Sequence, residues 1–276
     1  MSQSKKQEFS LNEEGYKIID AHCHIFPPKI EKKATENIGA FYCIEMDHHG
    51  SAEGLINSGK RINVLKYLVC STATKPTQVQ SINDFIIETC NKYSCFVGFG
   101  TLHPDYDNLE DEFKRIKSAG LKGLKLHPDF QCFNIDDKKA YKIYTLAQEN
   151  NLPILFHTGD ERYTFSDPKR LAKVMEDFKN LKVIAAHLGG YQQWDYSSEI
   201  LKGFENVYVD CSSALFAMTP QRALSIINSF GTKRVLFGTD FPMWDHCQEL
   251  GRFLSLDLTK SEKEDILYNN FLEFMK

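Results

Sequence analysis

Eight short apolar runs, each followed by a stretch of helical length, constrain this chain more than any other feature. They are "KIIDAHCH" (17–24), "NVLKYLVCS" (63–71), "CFVGFGTLH" (95–103), "GLKGLKLH" (120–127), "LPILFHTG" (152–159), "KVIAAHLGG" (182–190), "NVYVDCS" (206–212) and "KRVLFGTD" (233–240). Nearly continuous apolar content within a run marks a strand buried on both faces. The segments between them carry helix signals. Asp167 precedes Pro168 as an N-cap before a first-turn proline, the stretches 76–93 and 136–150 space apolar residues by three and four, and Ser261 with Glu264 has capping-box spacing. Alternating strand and helix gives right-handed βαβ units and a parallel sheet. Eight repeats in 276 residues match a single closed α/β barrel, a (β/α)8 TIM barrel of ~250 residues. The reading places a polar tail over 1–16, the barrel over 17–276 and an irregular insertion at about 25–60.

The formal charge of −4 and the absence of an arginine cluster argue against nucleic acid as a partner. No run reaches the ~18 residues of a membrane span. "MSQSKKQEFSLNEEG" lacks the apolar core of a secretory signal. The expectation is a cytoplasmic protein, its eight scattered cysteines reduced and mostly in the core.

Six of the nine histidines fall at the ends of these runs: His22, His24, His103, His127, His157 and His187. Asp240 ends the last run. Carboxyl ends of strands form the catalytic face of a barrel. Side chains alternate along a strand, so His22 and His24 share a face while Cys23 points away. Two imidazoles on one face can chelate a cation, and closure of a barrel lets His157, His187 and Asp240 reach the same point. On the same alternation Asp20 shares the face of His22.

The set "DAHCH", "GLKLHP", "LPILFHTG", "AHLGG" and "LFGTDFP" resembles the amidohydrolase superfamily, specifically the amidohydrolase-2 branch, which also includes aminocarboxymuconate-semialdehyde decarboxylase and its relatives. The resemblance runs over about residues 17 to 274 and implies a TIM-barrel metalloenzyme. It implies that His22, His24, His157 and Asp240 are metal ligands and that His187 acts near a bound water. Many members use a strand-four lysine, carboxylated to bridge two metals. Lys125 lies two positions deeper than His127, neither is a clean match, and the reading favours one metal.

Imidazole and carboxylate ligands suit zinc, the first expectation, and also manganese or iron. Such a divalent ion lowers the pKa of bound water toward ~7. Asp240 and His187 are the expected proton-handling residues, and the first functional reading is hydrolysis of an amide, ester or lactone of a small molecule. The alternative is non-oxidative decarboxylation of a conjugated or aromatic acid. Lys125, His127 and Arg162 are the expected substrate contacts, Arg162 as the cation for a carboxylate. A barrel that only binds ligands is disfavoured by retention of the whole residue set. His103 reads as structural, while His48, His49, Trp194 and Trp244 are further candidates for the pocket. A homodimer is a family-level expectation.

Overall fold

The structure, a computed structural model, describes residues 12–276. The first eleven residues of the polar N-terminal stretch lie outside the described residues. Asn12 binds the carbonyls of Tyr16 and Ile62 through Nδ2, at 2.8 and 3.0 Å.

Eight parallel strands follow one another around the sheet in sequence order. They are β1 (Ile18–His24), β2 (Val64–Cys70), β3 (Phe96–Gly100), β4 (Gly123–Leu126), β5 (Ile154–Phe156), β6 (Val183–Ala185), β7 (Val207–Asp210) and β8 (Val235–Leu236). The ring closes where β8 returns to β1. Ala21 N donates to Phe237 O at 2.8 Å, Asp240 N to His22 O at 2.8 Å, and His24 N to Phe241 O at 2.6 Å. The sequence runs are longer than the strands because each continues into the turn that carries the polar side chains.

The helices are α1 (Glu31–Tyr42), α2 (Ala52–Lys60), α3 (Val79–Lys92), α4 (Leu109–Ser118), α5 (Pro128–Gln131) and α6 (Tyr141–Glu149) in the first half. The second half adds α7 (Pro168–Asp177), α8 (Trp194–Leu201), α9 (Pro220–Phe230), α10 (His246–Leu254), α11 (Lys260–Glu264) and α12 (Asn270–Phe274). Asp167 caps α7 as expected, accepting from Lys169 N. The capping box near the C-terminus is Thr259 with Glu262 rather than Ser261 with Glu264. Two such pairs overlap in the sequence, and the earlier one starts the helix two residues sooner. The insertion is not irregular. Ser51 accepts from Gly54 N to start α2, and Ile30, Ala34, Ile38 and Phe41 recur at helical spacing along α1. None of these helices is long and apolar enough to cross a membrane.

Packing separates into two shells. Ile19, Ala21, Leu68, Phe99, Leu155, Ile184 and Leu236 fill the lumen, with Phe271 and Phe274 packed onto them. The opposite strand faces, including Ile18, Cys23, Tyr67 and Val69, join the core under the helices. Both shells are almost fully buried, as expected for strands covered on both sides.

Strand β1 does not alternate throughout. Asp20 pairs with Tyr67 and Cys23 with Val69, so three steps on β1 match two on β2. The extra residue is a β-bulge. Before it, Ile19 and Ala21 face the lumen; beyond it, His22 and His24 do. The expectation that Asp20 shares a face with His22 is therefore overturned: Asp20 faces the helix layer. There its carboxylate accepts from Thr239 N at 3.1 Å, Thr239 Oγ1 at 2.5 Å and His22 N at 3.0 Å, and His246 Nε2 of α10 lies 3.0 Å from Oδ2. Asp20 thus pins the β1–β8 seam from outside.

Asp20→Ala leaves three buried donors without their acceptor, each costing ~1–3 kcal/mol. Denaturant titration should show a loss of about 3 kcal/mol or more. A loss below about 1 kcal/mol would show that the seam does not depend on this carboxylate.

Candidate metal centre and cavity

Both β1 histidines bring Nε2 to the same place. The two Nε2 atoms lie 3.2 Å apart, and Asp240 Oδ1, from the turn after β8, is 3.5 Å from His22 Nε2 and 3.3 Å from His24 Nε2. Gly238 makes room for this convergence. A Cβ there would stand 3.1 Å from His22 Cβ and 3.3 Å from Ser212 Cβ. Asp240 and His187 both adopt left-handed backbone, with φ of 56° and 61°, a conformation that non-glycine residues adopt at a cost and that collects at functional sites.

The outer ring nitrogens show which electron pairs face inward. His22 Nδ1 lies 3.0 Å from Asp210 Oδ2. Burial raises the Asp210 pKa, but His22, His187 and Ser212 outweigh it and hold the group ionised. An ionised carboxylate only accepts, so the His22 proton sits on Nδ1 and Nε2 presents a lone pair. Burial, with help from Lys125, lowers His22 to about 4. Asp240 is likewise held well below the usual carboxylate range, because His22 and His24 outweigh its burial. Ser213 donates to its Oδ2 at 2.6 Å, and Trp244 Nε1 donates to Ser213 Oγ at 2.9 Å.

His22 Nε2 and Asp240 Oδ1 therefore face His24 Nε2 as two acceptors with no proton of their own. Burial would lower His24, but Cys70 and Asp240 raise it to about 9. Without a cation the cluster holds a proton at His24. A divalent ion in that position satisfies the same three atoms, and neutral imidazole with carboxylate is a donor set for zinc, manganese or iron.

His157 and His187 form a second facing pair. His157 Nε2 lies 2.9 Å from Gly159 O and His187 Nδ1 3.0 Å from Ser212 O. A carbonyl only accepts, so both protons are on the outside, and His157 Nδ1 meets His187 Nε2 at 3.1 Å as two inward lone pairs. Burial lowers both pKa values.

Among the described residues, two other groups have ligand atoms within 4.8 Å: His22, His187 and Asp210, and His127, Asp129 and His157. In the first, His22 Nδ1–H already serves Asp210. In the second, the His127 and His157 rings stack at 4.0 Å, 5° from parallel, so their nitrogens do not converge. The group formed by His22, His24 and Asp240 is the one that fits a cation.

Lys125 is fully buried on the lumen face of β4, and its length returns Nζ to 3.1 Å from His22 Nε2. Burial lowers its pKa. His127 caps α5, where Nδ1 accepts from Phe130 N at 3.3 Å. The ring proton is thus on Nε2, which lies 3.0 Å from the Tyr42 hydroxyl of α1. Tyr42 accepts there and keeps its own proton for a ligand. Burial raises its pKa well above the ordinary value, so it stays a donor.

Arg162 is elsewhere. Its guanidinium binds Asp160 at 3.0 and 2.8 Å and Phe41 O at 2.5 Å and lies over the Phe41 ring, strapping α1 to the loop after β5. It does not line the cavity. His48 stacks on Phe241 and bonds Asp245, His103 accepts from Asp105 N, and neither tryptophan lines the cavity.

Asp210, Ser212 and Tyr42 were missed in the sequence. Asp210 ends the seventh run as Asp240 ends the eighth, a signal that was available. Nothing local marks Tyr42, because its partner His127 is 85 residues away.

Above these groups opens a cavity of about 560 Å³ with His24, Lys125, His127, His157, His187 and Asp240 on its floor. A closed parallel barrel with imidazoles and a carboxylate gathered at the carboxyl ends of its strands defines a metal-dependent (β/α)8 enzyme. The chain belongs to the amidohydrolase family, whose model matches residues 19–273. Solved structures agree in fold. One is an uncharacterized TIM-barrel protein from Bordetella bronchiseptica, 18% identical, covering 94% of this chain and 98% of that one with a TM-score of 0.74. Another is a 5-carboxyvanillate decarboxylase from Novosphingobium aromaticivorans complexed with manganese and 4-hydroxy-3-methoxy-5-nitrobenzoic acid. It is 16% identical over 99% of both chains, with a TM-score of 0.75. A third is a dihydroxybenzoic acid decarboxylase from Polaromonas with manganese and 2-nitroresorcinol, 14% identical over 94% and 97% of the chains, TM-score 0.73.

Asp210→Asn keeps the shape beside His22 but removes the charge that orients its ring, a change of a kind that costs ~10–100-fold in metal affinity. Competition with a chromogenic chelator should show that loss, whereas Cys23→Ala, on the opposite strand face, should keep wild-type affinity. Equal affinity for all three proteins would remove His22 from the ligand set.

Proposed function

We propose that the protein is a metal-dependent, non-oxidative decarboxylase of an aromatic or conjugated carboxylic acid. One observation carries the reading. The acceptor cluster that calls for a cation lies at the floor of a cavity with apolar and aromatic walls, among them Phe26, Phe41, Phe130 and Met243. A flat acid fits such walls with its charged end on the floor. The nitrobenzoic acid and the nitroresorcinol bound by manganese-containing decarboxylases of the same fold support the same assignment. Hydrolysis of an amide, ester or lactone has support only from superfamily membership.

The reaction breaks the bond between the ring carbon and the carboxyl carbon. The electron pair stays on the ring carbon, which takes one proton, and carbon dioxide leaves. A divalent ion held by His22, His24 and Asp240 would bind the acid's oxygens and stabilise the negative charge that develops. His187 Nε2 is the group we assign to move the proton, because its Nδ1 is fixed on the Ser212 carbonyl, its Nε2 keeps an electron pair beside His157 and the residue lines the cavity. Ser213, itself held by Trp244, fixes the Asp240 carboxylate. Tyr42 donates its phenol proton to a substrate oxygen, and the Phe41 and Phe130 rings beside it exclude water.

Metal-loaded protein turned over in D₂O should release one carbon dioxide per hydroxybenzoate consumed and leave one deuteron on the vacated carbon. Product from lactones or amides without carbon dioxide would overturn the assignment. Chelation should abolish turnover and manganese restore it. His187→Asn should lower kcat by ~10²–10⁴-fold with metal content retained, and Tyr42→Phe by about ten- to a hundred-fold, as for loss of one positioned donor. Elemental analysis beside the kinetics separates both from simple loss of metal.

A further inference from the structure

The cavity extends well beyond its floor. One arm runs between α1 and α3. Ile30 at the N-cap of α1 and Ala34, Ile38 and Phe41 within it line the arm at spacings of four, four and three, and Ile82 and Phe85 of α3 also line it. An amphipathic helix normally turns such a stripe onto the protein core. Here it does not: the buried residues of α1 are Thr35 and Gly39, and Ile30 is 48% exposed. The apolar stripe borders the cavity instead of packing on the barrel. The arm is continuous with the floor, and a cavity of about 560 Å³ is of the size that holds drug-sized ligands, ~300–1,000 Å³. A bare hydroxybenzoate seated on the metal ligands would leave the arm unfilled.

We infer that the substrate carries an extended apolar substituent, an alkyl chain or a second ring, which lies between α1 and α3 while its carboxylate end meets the floor. Ala34, Ile38, Ile82 and Phe85 are specificity-determining residues. The inference rests on reading the floor as the reactive end, not on which reaction occurs there. Burial of the substituent supplies affinity for the rest of the molecule, since each methylene removed from water contributes about three- to four-fold in binding. The exposed Lys33 at the edge of the arm favours a substituent whose far end is neutral or anionic.

Two probe series on the metal-loaded protein separate this inference from the proposed reaction. The first is 2,6-dihydroxybenzoate with its 4-propyl and 4-heptyl homologues. The second is acetohydroxamate through octanohydroxamate, whose head chelates a divalent ion in a decarboxylase or a hydrolase alike. Isothermal titration calorimetry should show binding tightening by about three- to four-fold per methylene in at least one series. Ala34→Trp, which blocks the arm, and Ile82→Thr, which makes its wall polar without blocking it, should each flatten that dependence. If the hydroxamates show it while no probe acid releases carbon dioxide, the arm stands and the decarboxylase assignment falls. Binding independent of chain length in both series, or a dependence that both variants leave at its wild-type slope, overturns the inference.

Discussion

Nε2 of His22, Nε2 of His24 and Oδ1 of Asp240 face one another within 3.2–3.5 Å, and each can give an electron pair to a shared proton or cation. Such a group repels itself unless something positive sits among it, and much of the surrounding polar structure serves to hold it in place. Asp210 and Ser212 hold the outer nitrogens of His22 and His187, so neither ring can turn its lone pair away. Ser213 and Trp244 hold Asp240. Burial keeps the His22, His157 and His187 rings neutral, the state that binds metals. Holding these groups together costs the fold stability that a cation bound among them would offset.

That arrangement depends on one extra residue in β1. Without the bulge between Asp20 and Cys23, strict alternation from Ile19 and Ala21 would put His22 and His24 under the helices and Cys23 in the lumen. The bulge exchanges the faces halfway along the strand. Hydrophobic side chains fill the lower lumen, imidazoles and the Asp240 carboxylate line the upper, and Asp20 remains outside to secure the seam with β8. Bulges recur beside functional sites because they re-aim side chains without disturbing the rest of the sheet.

The contrast between what could and could not be read from the chain follows from this geometry. Strand runs and their polar ends are local, so the barrel and the positions of His22, His24, His157, His187 and Asp240 on its upper face were legible. The bulge was not, because it is a mismatch between two strands more than forty residues apart, and Asp20 was placed on the wrong face. Arg162 looked like a free cation at a strand end, but Asp160, two residues earlier, and Phe41 O, 121 residues away, already occupy it. Asp210 obeys the same strand-end rule as Asp240, so its place on the upper face was also legible. The insertion read as irregular because its prolines and paired histidines stood out while the four-four-three spacing on α1 did not.

That spacing is where fold and function meet. An apolar helical stripe is ordinarily evidence for core, and on α1 it would have been counted so. The structure turns it toward a cavity, and the Arg162 strap fixes the far end of the helix by its Phe41 carbonyl and ring. Tyr42, the last residue of α1, thereby reaches His127 beside the histidine cluster on the cavity floor, while the same helix forms the wall of the arm. One element thus carries both a donor for the reacting end of a ligand and a surface for its apolar end. Changes in α1 should for that reason alter both substrate choice and turnover, even though the chemistry of the floor belongs to the barrel strands.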